Sequence, residues 1–235
     1  MNNRDLAEKA LEKAKEVVGK IVPDKMFNDS LVSIGKSVES LFDAPTDSLT
    51  PMLHIFSVPS KGQTVTEVVE KPELIQTVVM MAGFGDNKRE MLRFLGAKMA
   101  ENKEFGSPMA LFLITEAWVA METPKERKEN KDKPFIPPSE RPDRNEVVMI
   151  SGCTLDMRFN MMTYMIRRVG KNIMLGEKKV MDYVASSKNT FESPLMQEFF
   201  WGWMMAKDGQ DPESFRPAGV KGDVNELFKH PIKAD

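Results

Sequence analysis

The 235 residues, 41% hydrophobic and 29% charged, suffice for one large domain or two small ones with a buried core, and exclude wholesale disorder. With 33 Lys+Arg against 35 Asp+Glu the formal charge is −2, which argues against a general nucleic-acid coat protein, since that role needs a cationic excess to neutralise phosphates. The single cysteine excludes an intramolecular disulfide, and 19 methionines, whose thioethers oxidise readily, fit a reducing cytoplasm (a host's, for a viral chain).

The opening stretch, MNNRDLAEKALEKAKEVV, carries a charge every few residues and lacks the apolar run of a secretory signal. Residues 3–21 read as an amphipathic helix, with Leu6, Ala10, Ala14, Val17, Val18 and Ile21 at helical spacing and Pro23 as the stop. A second helix runs from Lys25 to Phe42, with Phe27, Leu31, Ile34, Val38 and Leu41 on one stripe. Together they predict a helical hairpin or arm over residues 1–48. From Pro51 the pattern turns to β: Met52–Val58 and Thr64–Val69 are β-branched and aromatic runs around a Pro59-Ser60-Lys61-Gly62 turn. Glu73–Ala82 reads as helical. Gly83-Phe84-Gly85 breaks it, and Asp86 can cap a helix from Asn87 to Asn102 that buries Met91, Leu92, Phe94, Leu95 and Met99.

Met109–Met121 is the strongest strand, apolar on both faces in its first half and alternating around Glu116 and Trp118 in its second. Residues 122–146 carry balanced charges and five prolines, a solvated loop long enough to be functional or mobile. Glu146–Ser151 returns to strand, Gly152–Asp156 turns, Arg158–Arg168 alternates, and Gly170-Lys171-Asn172 turns into Ile173–Leu175. Lys178–Ala185 fits helix and strand alike. Ser193-Pro194 opens a helix over Leu195–Lys207. The remainder, 208–235, reads as an extended tail anchored at Leu227-Phe228. Near the C-terminus the longest uncharged apolar run, Phe199–Ala206, is far short of the roughly 20 residues that span a bilayer, so no membrane association is expected.

Cys153, in Ser151-Gly152-Cys153-Thr154, would need a base to become a nucleophile. The two histidines, His54 and His230, are both distant in sequence, so Cys153 reads as a small half-buried residue in a turn. Two histidines and one cysteine cannot build a His/Cys zinc site, and an all-carboxylate site from Glu116, Asp143, Glu146 and Asp156 has no spacing in its favour. No metal and no cofactor are expected. Gly83-Phe84-Gly85-Asp86 precedes a helix but lacks a phosphate-binding lysine. Arg167, Arg168 and Lys171 gather around a hairpin where nucleic acid could touch, although a solvated turn explains them as well.

Glu116 lies among apolar residues, and a buried carboxylate needs a partner; Arg141, Arg144 or Arg158 could supply it across the meander. The stretch TEAW…RPDRNEVVMISG, from Thr115 to Gly152, resembles a pattern of uncharacterised bacterial and phage proteins: an E-A-W strand, a Pro-rich loop, then P-x-R-x-E-V opening the next strand. The resemblance implies an α+β core and brings no activity with it. Last comes LMQEFFWGWMMA, apolar all round the helix axis, which must be enclosed by its own core or by another chain. Phe199, Phe200, Trp201, Trp203 and Met204 are its candidate partner-binding residues, of the types enriched at interface centres.

These readings predict an α+β protein: an antiparallel meander of about five strands with helices packed on one face, preceded by an N-terminal helical hairpin. The core spans 49–207. The expected function is non-enzymatic: an accessory or interaction protein, with phage as one source, that assembles with itself or a protein partner through the aromatic, Met-rich helix. The alternative is a small-ligand binder or enzyme with a carboxylate/arginine site at Glu116, Arg144, Glu146 and Arg158. The third is nucleic-acid binding through Arg167, Arg168 and Lys171, which the charge balance disfavours.

Overall fold

The computed structural model describes residues 16–59, 74–81, 87–102, 104–120, 136–183, 194–218, 220 and 231–233. Residues 16–21 are helical and lead through Pro23 into α1 (Asp24–Leu41), which is followed by β1 (Met52–Val58), β2 (Ile75–Met80) and α2 (Lys88–Glu101). The chain continues through β3 (Ser107–Val119), β4 (Asn145–Thr154), β5 (Phe159–Val169), β6 (Asn172–Tyr183), α3 (Pro194–Lys207) and β7 (Pro231–Lys233). Two short 3-10 turns, Pro138–Glu140 and Pro212–Phe215, precede β4 and follow α3. The strands form one antiparallel sheet in the order β6-β5-β4-β3-β1-β2-β7.

The expected α+β architecture is present, and β3 to β6 are the expected meander. The centre of the sheet is β3, apolar on both sides because the side chains of a strand alternate. Ala110, Phe112 and Ile114 face one cluster; Leu111 and Leu113 face the other. On the first face lie α1 and Ile21-Val22, with Phe27 packed on Phe112 at 5.2 Å between ring centroids and Phe56 edge-on to the same ring at 5.5 Å. Against the second face pack α2 and α3, over Leu53, Ile55, Leu111, Leu113 and Cys153. Helices therefore cover both faces rather than one. A strand with no polar face requires it.

Seven strands stand where about five were expected, for two reasons. Glu73–Ala82 contains not a helix but β2: Ile75, Thr77, Val78 and Val79 are β-branched, and the segment pairs with β1 from Met52↔Met80 to Ser57↔Ile75. β7 then adds to the outer side of β2. The expected turn at Gly152–Asp156 is also shifted, because β4 continues to Thr154. Gly152 is there for closeness of approach rather than for turning: a Cβ on it would lie 2.0 Å from Asn160 Oδ1 and 2.8 Å from the Phe112 ring. The ambiguous Lys178–Ala185 resolves into β6 as far as Tyr183. The helix before residue 16, the Thr64–Val69 strand, the Gly83–Asp86 break, most of the Pro-rich loop, the Ser193 cap and Leu227-Phe228 lie outside the described residues.

Where α2 and α3 cross, their backbones touch. A Cβ on Gly96 would sit 2.0 Å from the Phe199 carbonyl oxygen, and one on Gly202 would sit 1.9 Å from that of Arg93. Each glycine makes room for the other helix's main chain, so this crossing has no side-chain layer at its centre. Around it Met196, Phe199, Phe200, Leu95 and Met99 are fully buried. Gly96→Ala should therefore force the helices apart and cost about 3 kcal/mol. In a chain of this size that lowers Tm by roughly 6–12 °C, measurable by circular dichroism.

His54 on β1 is partly covered, and Gln76 Nε2 donates to its Nδ1 at 2.6 Å. Burial pulls the imidazole down from the ordinary 6.5 to about 4. Its folded-state pKa is the lower one, so between these values the unfolded chain binds the extra proton. The contribution is complete above pH 6.5 and is lost as pH falls toward 4. Urea unfolding at successive pH values should show stability dropping by about 1 kcal/mol per unit across that window. His54→Gln should flatten the slope.

Candidate functional site

The predicted carboxylate/arginine site comes apart into two clips at opposite ends of β5. At one end Arg168 bridges Glu116 and Glu146. Its Nε donates to Glu146 Oε2 at 2.8 Å, its Nη2 donates to Glu146 Oε1 and, at 3.1 Å, to Glu116 Oε2. Its Nη1 reaches the Asp47 carbonyl at 3.1 Å, while Leu49 N–H donates to the other oxygen of Glu116 at 2.6 Å. Ile173 N–H also donates to the Thr46 carbonyl at 2.6 Å. The 46–49 connector is thus strapped across β3, β4 and β5. Arg168 holds the Glu146 carboxyl below the usual carboxylate range. Arg168 itself is raised by the same partner. The arrangement binds chain to chain and engages both oxygens of each carboxylate.

At the other end Arg158 ties the β4–β5 turn to the start of α1. Its Nε donates to Asp156 Oδ2 at 2.9 Å, Nη1 to Asp24 Oδ1 at 2.6 Å and Nη2 to the Val22 carbonyl at 2.8 Å. Glu116 is linked through Val148 to Tyr164, six positions along β5 from Arg158, a separation of roughly 20 Å at 3.4 Å per residue. Glu116 and Arg158 therefore do not meet, and Arg144 joins neither clip. Its guanidinium lies 4.7 Å over the Trp118 ring, and its Nη1 donates to the Ser139 carbonyl at 2.6 Å.

The cationic hairpin disperses in the same way. Arg167 and Arg168 are consecutive in β5 and point to opposite faces. Arg168 is spent on carboxylates, leaving Arg167 and Lys171 exposed without it. Cys153 is not in a turn and not half-buried: it is fully buried within β4, where burial and Asp156 push its thiol up, the reverse of what a nucleophile needs. Among the described residues, no group of three or more His, Cys, Asp or Glu side chains is placed to hold a metal ion.

The candidate partner-binding helix divides by face. Phe199 and Phe200 are fully buried, edge-to-face at 6.2 Å, and belong to the core. Trp203 is partly covered, with its indole N–H buried without a hydrogen-bond partner in the structure. Trp201 and Met204, on the far side of α3, remain 40% and 42% exposed. They line an open groove of about 540 Å³ with Gln197 and Glu198 of α3 and with Arg89 and Arg93 of α2. Met157, from the β4–β5 turn, completes the lining.

Each wall of this groove is held in place. Arg93 Nε donates to Glu198 Oε2 at 2.8 Å, and the Arg93 guanidinium stacks 4.1 Å from the Trp201 ring centroid. On its other side Trp201 meets Phe215 edge-on at 6.0 Å. Phe215 belongs to the 212–215 turn, which Glu213 fastens to α2 through Lys98 at 2.6 Å. Met157 has a left-handed backbone, φ 65°, which costs a non-glycine residue about 1 kcal/mol. The Arg158 clip is what holds that turn.

Arg89, Arg93, Gln197, Glu198 and Met157 carried no weight in the sequence. A signal was present: Arg89 and Arg93 stand one helical turn apart on α2, and Glu198 is the one acid in an apolar helix. Compared with protein-family models, curated proteins and solved structures, the chain matches none. The Arg168 strap is open to direct test. Arg168→Met should strand two part-buried carboxylates and loosen the 46–49 connector, costing about 1–2 kcal/mol. Hydrogen exchange should report faster turnover of the Leu49 and Ile173 amides. The Glu146 part of the loss should vanish in acid, because a lowered carboxylate contributes above its ordinary value of 4.5 and loses that contribution as pH falls through the folded one.

Proposed function

We propose that this chain is a non-enzymatic interaction protein that assembles through the outer side of α3, working in the cytoplasm. The observation that carries the reading is the pair Trp201 and Met204, large apolar side chains left exposed beside two arginines in a groove already rigid before any partner arrives. Trp, Met and Arg are the types that concentrate at interface centres, and a tryptophan fixed between a guanidinium and a phenyl ring loses little freedom on binding. The two clips support the same reading, since Glu116, Glu146, Arg158 and Arg168 are all engaged in holding the chain together. No helix among the described residues is long and apolar enough to cross a membrane. The fully buried single cysteine and the abundant methionines fit a reducing interior.

Met204→Glu tests this reading. The residue is 42% exposed, so stability should change by about 0.5 kcal/mol or less. Light scattering at high concentration and affinity capture from the cells that make the protein should both be run, with Val169→Glu, exposed at the β5 end, as control. An assembly of fixed stoichiometry, whether of copies or with one partner, should survive the control and be lost in Met204→Glu. A strict monomer with no such assembly, or one indifferent to Met204→Glu, defeats the proposal.

A further inference from the structure

Resting on that reading of the α3 face, we propose that the groove receives a protein segment presenting a carboxylate beside a large apolar side chain: an acidic, apolar peptide. Charge within the groove is the first ground. Arg89 and Arg93 face one acid, Glu198, whose carboxylate Arg93 engages at 2.8 Å. Arg89 lies 3.6 Å from Glu198, outside hydrogen-bond range, with 57% of its side chain exposed. Its guanidinium is thus only loosely ion-paired and largely exposed to an incoming anion, and guanidinium pairs with carboxylate in a planar, two-point fork.

The floor is the second ground. Trp201, Met204 and Met157 offer indole and thioether surface to an apolar side chain, and thioethers adapt to its shape. Arg89 on α2 lines the same groove, so anion and apolar side chain are received in one site, as neighbouring groups of one segment. The groove is open along its length, whereas a small-molecule pocket closes over most of its ligand. A segment of a larger partner fits that shape.

The third ground is strain. Met157 occupies the left-handed region, where Gly or Asn would be at ease, and the fold holds it there through Thr154 and Arg158: Met157 N–H donates to the Thr154 carbonyl at 2.9 Å, and Arg158 N–H to Thr154 Oγ1 at 3.0 Å. A turn that keeps methionine against this preference places its side chain in the groove lining.

The test uses the full chain and a labelled octapeptide with Glu-Leu-Phe-Glu between Gly-Ser arms. Its controls are the same peptide with Lys-Leu-Phe-Lys and with Glu-Ser-Ser-Glu. Fluorescence polarisation should show saturable binding of the first, at least about ten-fold tighter than either control, and weakening as salt rises. Trp201 emission should change in step. Arg89→Glu should weaken binding about ten-fold with Tm unchanged, and Met157→Gly, which relieves the backbone while removing the thioether, should weaken it several-fold in a folded protein. Equal affinity for the lysine peptide, absence of saturable binding, or indifference to Arg89→Glu overturns the proposal. If cellular assembly still depends on Met204 while the acidic peptide fails, the occupant's chemistry is wrong and the α3 interface stands. If assembly ignores Met204, the interface itself falls.

Discussion

Everything in this fold follows from a central strand whose buried half has no polar side. With Phe112 and Ile114 on one face of β3 and Leu111 and Leu113 on the other, neither face of the sheet can meet water, and each needs its own helical cover. On the α1 side the amphipathic stripe Phe27, Leu31, Ile34 and Val38, joined by Ile21 and Val22, supplies it. The other side receives two helices, and the way they share that space decides what is left at the surface. Gly96 and Gly202 let α2 and α3 cross with their main chains in contact, so α3 sinks one side into the core beyond Phe199 and Phe200. A helix that is apolar all round cannot also hide its far side. Trp201 and Met204 are the residue of that geometry, and the groove is built around them.

Two arginines on β5 and its leading turn set the rest of the surface. Arg168 straps the 46–49 connector over the strand ends, and Arg158 joins the β4–β5 turn to α1. Both work by gathering carboxylates and a carbonyl around one planar cation, a use of arginine that lysine could not reproduce. The second clip also serves the groove, because the turn it holds is the one that carries Met157. The two layers on opposite sides of the sheet are thereby linked: α1, through Asp24, steadies a wall of the site between α2 and α3.

Most of the architecture was legible in the sequence, and the misreadings share a physical cause. Long periodic elements announced themselves: α1, α2, α3 and strands β3 to β5 stand within a few residues of where spacing put them, while β6 runs on to Tyr183 through a stretch that spacing left ambiguous. β2 reads as helix in the sequence because a six-residue run of Ile, Gln, Thr, Val, Val and Met suits either state until β1 is beside it. The same holds for chemistry. Glu116 was rightly expected to need an arginine, but which one depends on strand register, and register selected Arg168 over Arg141, Arg144 and Arg158. Residues that act through tertiary placement, such as Arg89 and Met157, have no local pattern to betray them.

The methionine excess takes on a sharper meaning in this setting. More than half of the 19 lie between Met149 and Met205, yet they do different work. Met162 and Met196 are buried and fill space between sheet and helices, where an unbranched side chain fits irregular gaps. Met157 and Met204 are turned to the groove, at a strained turn in one case and an exposed helix face in the other. A core needs only volume from such a side chain, and branched aliphatics would supply it with less entropy lost on burial. At a receiving surface flexibility is the useful property, because thioethers can repack around whichever apolar group arrives while Trp201, clamped by Arg93 and Phe215, stays still. In the proposed recognition one rigid ring and two adaptable thioethers divide the labour, and the exposed guanidinium of Arg89 supplies its direction.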